Sequence, residues 1–122
     1  MADVLALVDD LFFQSKLNET ARHVGVTLQT VSSGDALVQA AVASAPKLVL
    51  IDLNARQGAL EAVERLGASA NVSGAAAQPM IAFLSHVQTD LAEKARAAGC
   101  QQVLPRSRFT AELAQILAQA KT

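Results

Sequence analysis

The stretch 47–54 reads KLVLIDLN: four apolar residues, Leu48 to Ile51, run without interruption into a carboxylate, Asp52. A strand with one face in water alternates apolar and polar residues. A nearly continuous apolar run is the pattern of a strand covered on both faces, as in parallel sheets flanked by helices. Two further runs have the same character, VLALV at 4–8 and MIAFL at 80–84, and QQVL at 101–104 is a shorter one. VTLQTV at 26–31 alternates instead, which marks an edge strand.

Helical spacing fills the gaps between these runs. In 11–24, Phe13, Leu17, Ala21 and Val24 recur at three or four residues, and Gly25 stops the helix. The 35–44 stretch is Ala-rich and exits at Pro46. Leu60, Val63 and Leu66 make a stripe in 58–66, and Leu91, Ala95 and Ala98 make another in 89–98, followed by Gly99. Leu113, Ile116, Leu117 and Ala120 share one side of a last helix over 110–120, with Thr110 as its N-cap unless Ser107 or Arg108 starts it earlier. The segment 67–78, GASANVSGAAAQ, is small and polar and reads as a mobile loop. Strict alternation of strand and helix predicts an α/β fold with right-handed crossovers: a flavodoxin-like (βα)5, doubly wound, five-stranded parallel sheet with helices on both faces.

Bulk composition narrows the function classes. The 122 residues suit one domain, read as spanning 1–122 with no output domain. Apolar residues are 52% and aromatics only 3%, so the core is built mainly of Ala, Val and Leu, which suits close helix–sheet packing. A formal net charge of −1 offers no basic surface for nucleic acid or an acidic membrane. The lone Cys100 cannot form an internal disulfide, which fits a reducing compartment. No start combining basic residues, an apolar run and a small-residue cleavage site is evident, and the apolar runs fall well short of the roughly 18 residues of a membrane span. A cytoplasmic protein is expected.

Ligands of open parallel sheets sit beyond the carboxyl ends of the strands. At those ends stand Asp9 and Asp10 after the first strand, Asp52 and Asn54 after the third, Ser85 and His86 after the fourth, and Pro105, Arg106 and Ser107 after the fifth. Two carboxylates about 4 Å apart repel by about 4 kcal/mol at an effective dielectric of 20, so three together need a cation. Carboxylate oxygens with a backbone carbonyl suit Mg²⁺, which favours phosphate as a further ligand. Asp52 is then free to act as a nucleophile toward a phosphoryl group, with Ser85 and Arg106 contacting its oxygens. Plainer readings stand beside these. Asp9 and Asp10 are an N-cap and a first-turn acid, Asp52 a strand-end cap, Ser85 a turn residue and Arg106 a solvated charge. His86 is a packing or hydrogen-bonding residue, and Cys100 packs as a small hydrophobe. Phe12 and Phe13 cannot both face one core, so one of them is exposed or meets a partner.

The motifs LVDD (7–10), LVLIDLN (48–54), PMIAFLS (79–85) and AAGCQQVLPRSRF (97–109) together make the chain, over essentially its whole length, resemble the receiver domain of two-component response regulators, in an atypical form. The resemblance implies that Asp9 and Asp10 hold Mg²⁺ together with Asp52 and the Asn54 backbone carbonyl, and that Asp52 accepts the phosphoryl group. Ser85 and Arg106 would contact that group. The partners implied are a histidine kinase or phosphotransfer protein and a downstream protein target, and the face of the fifth strand and last helix is one through which such domains form homodimers. The chain would then be no enzyme, beyond a self-acting phosphotransfer.

Departures from the family pattern matter. Arg106 stands where the family has lysine, and Pro105 precedes it while Ser107 follows, in place of the family's following proline. Val103 occupies the aromatic switch position on the fifth strand. The loop NARQG (54–58) is about two residues short and lacks Met-Pro, and His86 adds bulk at the entrance to Asp52. An arginine can bridge two aspartates without phosphate. Two functions follow: a phosphoacceptor receiver, or a phosphorylation-independent pseudo-receiver that serves as a protein-interaction module. A cofactor carrier with a phosphate loop after the first strand is disfavoured, because Asp9 and Asp10 there would repel phosphate.

Overall fold

The computed structural model describes residues 2–56, 58–73, 79–84 and 89–121. Along them run β1 (Val4–Leu7), α1 (Leu11–Val24), β2 (Leu28–Val31), α2 (Gly34–Ser44), β3 (Leu48–Asp52), α3 (Ala59–Ser73), β4 (Met80–Leu84), α4 (Thr89–Ala97), β5 (Gln102–Pro105), α5 (Arg106–Ala111) and α6 (Leu113–Ala118). All strand pairs are parallel, in the order β2-β1-β3-β4-β5. This is the flavodoxin-like arrangement expected from the apolar runs. The alternating segment lies at the edge as β2, paired to β1 alone.

Helices on both faces explain why the central strands are apolar throughout. Val4, Ala6, Leu48, Leu50, Ile81 and Phe83 point to one side, where they meet Phe13 and Leu17 of α1, Phe109 of α5 and Leu113, Ile116 and Leu117 of α6. Their neighbours Leu5, Leu7, Val49, Ile51, Met80 and Ala82 point to the other, against Leu37 and Val38 of α2, Val63 of α3 and Ala95 of α4. Cys100 packs on this second side, and burial pushes its thiol up to about 11. Helix α1 ends as expected, at Gly25 in the left-handed region (φ 92°). Among the described residues no helix is long and apolar enough to cross a membrane.

Two expectations are corrected. The 67–78 segment is not a loop as far as it is described, because α3 continues through Gly67 to Ser73. Gly67 is there for space rather than for a turn: a Cβ on it would come within 2.2 Å of the Ala98 carbonyl oxygen, so the glycine lets α3 approach the end of α4. Residues 74–78 lie outside the described residues. The last helix is two segments rather than one. Thr110 does not cap it; its hydroxyl donates to the Arg106 carbonyl inside α5, which begins directly after Pro105. Glu112 (φ −101°, ψ 9°) separates α5 from α6.

Candidate functional site

The strand order places the reversal point between β1 and β3, where ligands of such sheets bind. Parallel register sets Leu7 beside Ile51, so the acids that follow β1 emerge next to Asp52 at the end of β3. Asp52 is 4% exposed. Its Oδ1 accepts the Asn54 N–H at 2.9 Å, while its backbone carbonyl accepts the Ala55 N–H at 3.0 Å, so it does tighten the turn after the strand. Burial raises the Asp52 carboxyl above the ordinary aspartate range. The Asn54 N–H and the Arg106 charge oppose that rise, and the charges of Asp9 and Asp10 add to it. Asp9, Asp10 and Arg106 therefore all act electrostatically on Asp52.

Asp10 divides its two oxygens between two tasks. It is the N-cap of α1, with extended backbone (φ −85°, ψ 116°), and Oδ1 accepts the N–H groups of Phe12 and Phe13 at 2.9 and 3.3 Å. Oδ2 accepts from Arg106 Nη2 at 3.1 Å. The Phe13 N–H, with that of Phe12 and the Arg106 guanidinium, holds the Asp10 carboxyl below the ordinary range against the pull of desolvation. The plain capping role and the pairing with Arg106 thus coexist in one side chain. Beside it, Gln14 donates from its side-chain amide to the Val8 carbonyl and ties α1 to the end of β1.

Arg106 opens α5, where a cation faces the unfavourable end of the helix dipole. Two contacts hold its side chain among the described residues. One is Asp10; the other is the ring of Phe13, whose centroid lies 4.4 Å from the guanidinium carbon. Such a cation–π contact contributes about 0.5–2 kcal/mol depending on desolvation. Phe13 is itself packed against Phe83 and Phe109, with centroids 5.3 and 6.1 Å away, and those two stack on each other at 4.1 Å. Arg106 is therefore not a freely solvated charge.

Asp9 is engaged from the loop after β3. Its Oδ2 accepts the Arg56 N–H at 3.0 Å, with Arg56 Nε at 3.6 Å. A proline in the loop would have no N–H to give. Val103 is buried among the residues facing α4 and carries no ring to rotate. Ser85 and His86 lie outside the described residues, so the hydroxyl and the bulky neighbour expected at the end of β4 are not placed. The structure brings Asp9, Asp10, Asp52, Asn54 and Arg106 to one edge as expected. It adds two participants that sequence reasoning missed. Arg56 was unreadable because its contact is made by the backbone. Phe13 bore a helical spacing that identified it only as core.

The oxygens of Asp9, Asp10 and Asp52 and the carbonyl of Asn54 are hard donors, the chemistry Mg²⁺ takes. In the arrangement seen, no three His, Cys, Asp or Glu side chains among the described residues are grouped to hold a metal ion. The acidic pair is answered instead by two arginines. The donor set fits Mg²⁺ in kind.

No family model matches the sequence, and no curated protein matches it. Solved structures do. The chemotaxis protein CheY4 of Vibrio cholerae is 18% identical, with a TM-score of 0.76 over 95% of this chain and 98% of that one. The receiver domain of the sensor histidine kinase PA1611 of Pseudomonas aeruginosa, which has a magnesium ion coordinated in its active-site cleft, is 23% identical (TM-score 0.76; 95% and 93% covered). The phosphorylated cyanobacterial phytochrome response regulator RcpA is 19% identical (TM-score 0.69; 97% and 90% covered). At these identities the likeness establishes architecture: the chain has the receiver-domain fold of two-component response regulators.

Proposed function

We propose that this chain is a two-component signalling receiver that takes a phosphoryl group on Asp52 and signals through protein–protein contact. The observation that carries the reading is the seat of Asp52: a carboxylate almost fully buried at the sheet's reversal point, within the field of two further acids and one arginine. A residue serving only as a turn cap has no need of that company. The donor would be a phosphohistidine on a kinase or phosphotransfer protein. An Asp52 oxygen forms the new O–P bond as the N–P bond breaks, and the histidine leaves with the electron pair. Asp52 must be ionised to attack; burial works against that form, and the Asn54 N–H and the Arg106 charge oppose the burial. The product would carry about −1.5 to −2 charges, which Arg106 would answer. Mg²⁺ held by Asp9, Asp10, Asp52 and the Asn54 carbonyl would offset charge on the phosphoryl oxygens during transfer.

One observation favours a second reading, a phosphorylation-independent interaction module: both acids of the pair already have arginine partners inside the protein. Intact-mass measurement after incubation with Mg²⁺ and a small phosphodonor separates the two. The first reading expects a single phosphoryl adduct on the wild type and none on Asp52→Asn. A wild type that takes no adduct, under conditions that label a typical receiver, leaves the second reading standing.

A further inference from the structure

Asp10 has one oxygen to offer a ligand. Oδ1 accepts the N–H groups of both Phe12 and Phe13 at the start of α1, and the remaining Oδ2, which accepts from Arg106, has its open lone pair beside that guanidinium. The two arginines of the pocket are held differently. Arg56 is 89% exposed, and its guanidinium reaches Asp9 only at 3.6 Å, so its side chain is easily displaced. Arg106 is only 31% exposed, hydrogen-bonded at 3.1 Å and laid on a ring that is itself locked into the core. A guanidinium keeps its charge at every accessible pH, so deprotonation cannot remove it. A divalent cation at Oδ2 would meet that fixed positive charge at close range.

We propose that Arg106 is an internal counter-cation that competes with divalent metal for Asp10: it must give up Oδ2 before Mg²⁺ can bind there, and its release lifts it from the Phe13 ring. Phe13 acts here as a positioning residue. The competition rests on the reading that these acids hold Mg²⁺, and it couples metal occupancy to the aromatic packing between α1 and α5. Once released from Asp10, Arg106 has Asp52 within its electrostatic reach as the next carboxylate.

The test is an Mg²⁺ titration of the isotope-labelled chain followed by NMR, since no Trp or Tyr is present to report optically. Lying over the Phe13 ring, the Arg106 side-chain protons are expected to resonate upfield of their usual positions. Mg²⁺ is expected to return them toward ordinary values in step with shifts of the Asp9 and Asp10 amides. Arg106→Gln is expected to bind Mg²⁺ roughly tenfold more tightly than wild type, having lost the competing cation. Asp10→Asn combined with Arg106→Gln should lose that gain while keeping the helix cap, because Asn caps as well as Asp. Arg106 signals unmoved at metal saturation, or an Arg106→Gln affinity equal to or weaker than wild type, would overturn the competition. So would the absence of binding in both proteins. The phosphoacceptor reading is judged apart from this, by the adduct on Asp52.

Discussion

The two faces of the sheet are packed by different means. On the side of α1, α5 and α6 the filling is aromatic: Phe13, Phe83 and Phe109 touch in one cluster, and Arg106 lies on its rim. On the side of α2, α3 and α4 the described core residues include no ring, and space is closed by backbone approaching backbone. A Cβ on Gly34 would stand 2.2 Å from the Gly58 carbonyl oxygen, and one on Gly67 equally close to that of Ala98. An atom added 2.2 Å from a carbonyl cannot be accommodated without moving a helix. The face that touches the site is thus filled by interlocking rings, and the opposite face by close backbone approach.

The comparison can be broken from either side. The largest effect is expected for Phe109→Ala, which removes one ring of the cluster at a fully buried position. A loss of about 3–5 kcal/mol in urea unfolding is expected. Next come Gly34→Ala and Gly67→Ala, each expected to cost about 1–3 kcal/mol by forcing helices apart. If either is tolerated without loss, the small-residue face is looser than its contacts imply.

Asp52→Asn should act in the opposite direction. Burial lifts the native Asp52 carboxyl above its unfolded value, so the native state holds the proton to higher pH and stability falls as pH rises through the native value. Removing the charge should therefore raise the melting temperature at pH 7, and the gain should vanish below about pH 4, where the side chain is neutral in both states. Asp10, held low, has the reverse dependence: its stabilisation is lost as pH falls through its native value, and it is common to both proteins. A gain that persists at pH 3 would show that charge is not its cause. The smallest effect is expected at Ala45, which ends α2 with φ 45° in the left-handed region. Ala45→Gly should stabilise by about 0.5–1 kcal/mol, read as a small rise in melting temperature.

How far the sequence was legible differed by element. β1, β3 and β4 could be read directly, because burial on both faces leaves only apolar residues. The reach of α3 could not, since Gly67 marks a turn or a close approach equally well until α4 is in place. The division of α5 from α6 left no signal in composition. Thr110 looked like a cap because hydroxyl residues serve both at helix starts and as donors to the carbonyl four residues back.

At the site, the residue types and their positions at strand ends were determined by the sequence alone: three acids, an asparagine and an arginine must gather at one edge of any sheet wound in this order. What those groups do to each other was decided only by tertiary structure. The caps, the Arg56 N–H on Asp9, the Asp10–Arg106 pair and the ring under it depend on which way chains 47 and 96 residues apart are turned toward one another. Periodicity records which face of an element is buried; it does not record which oxygen of a carboxylate meets which cation.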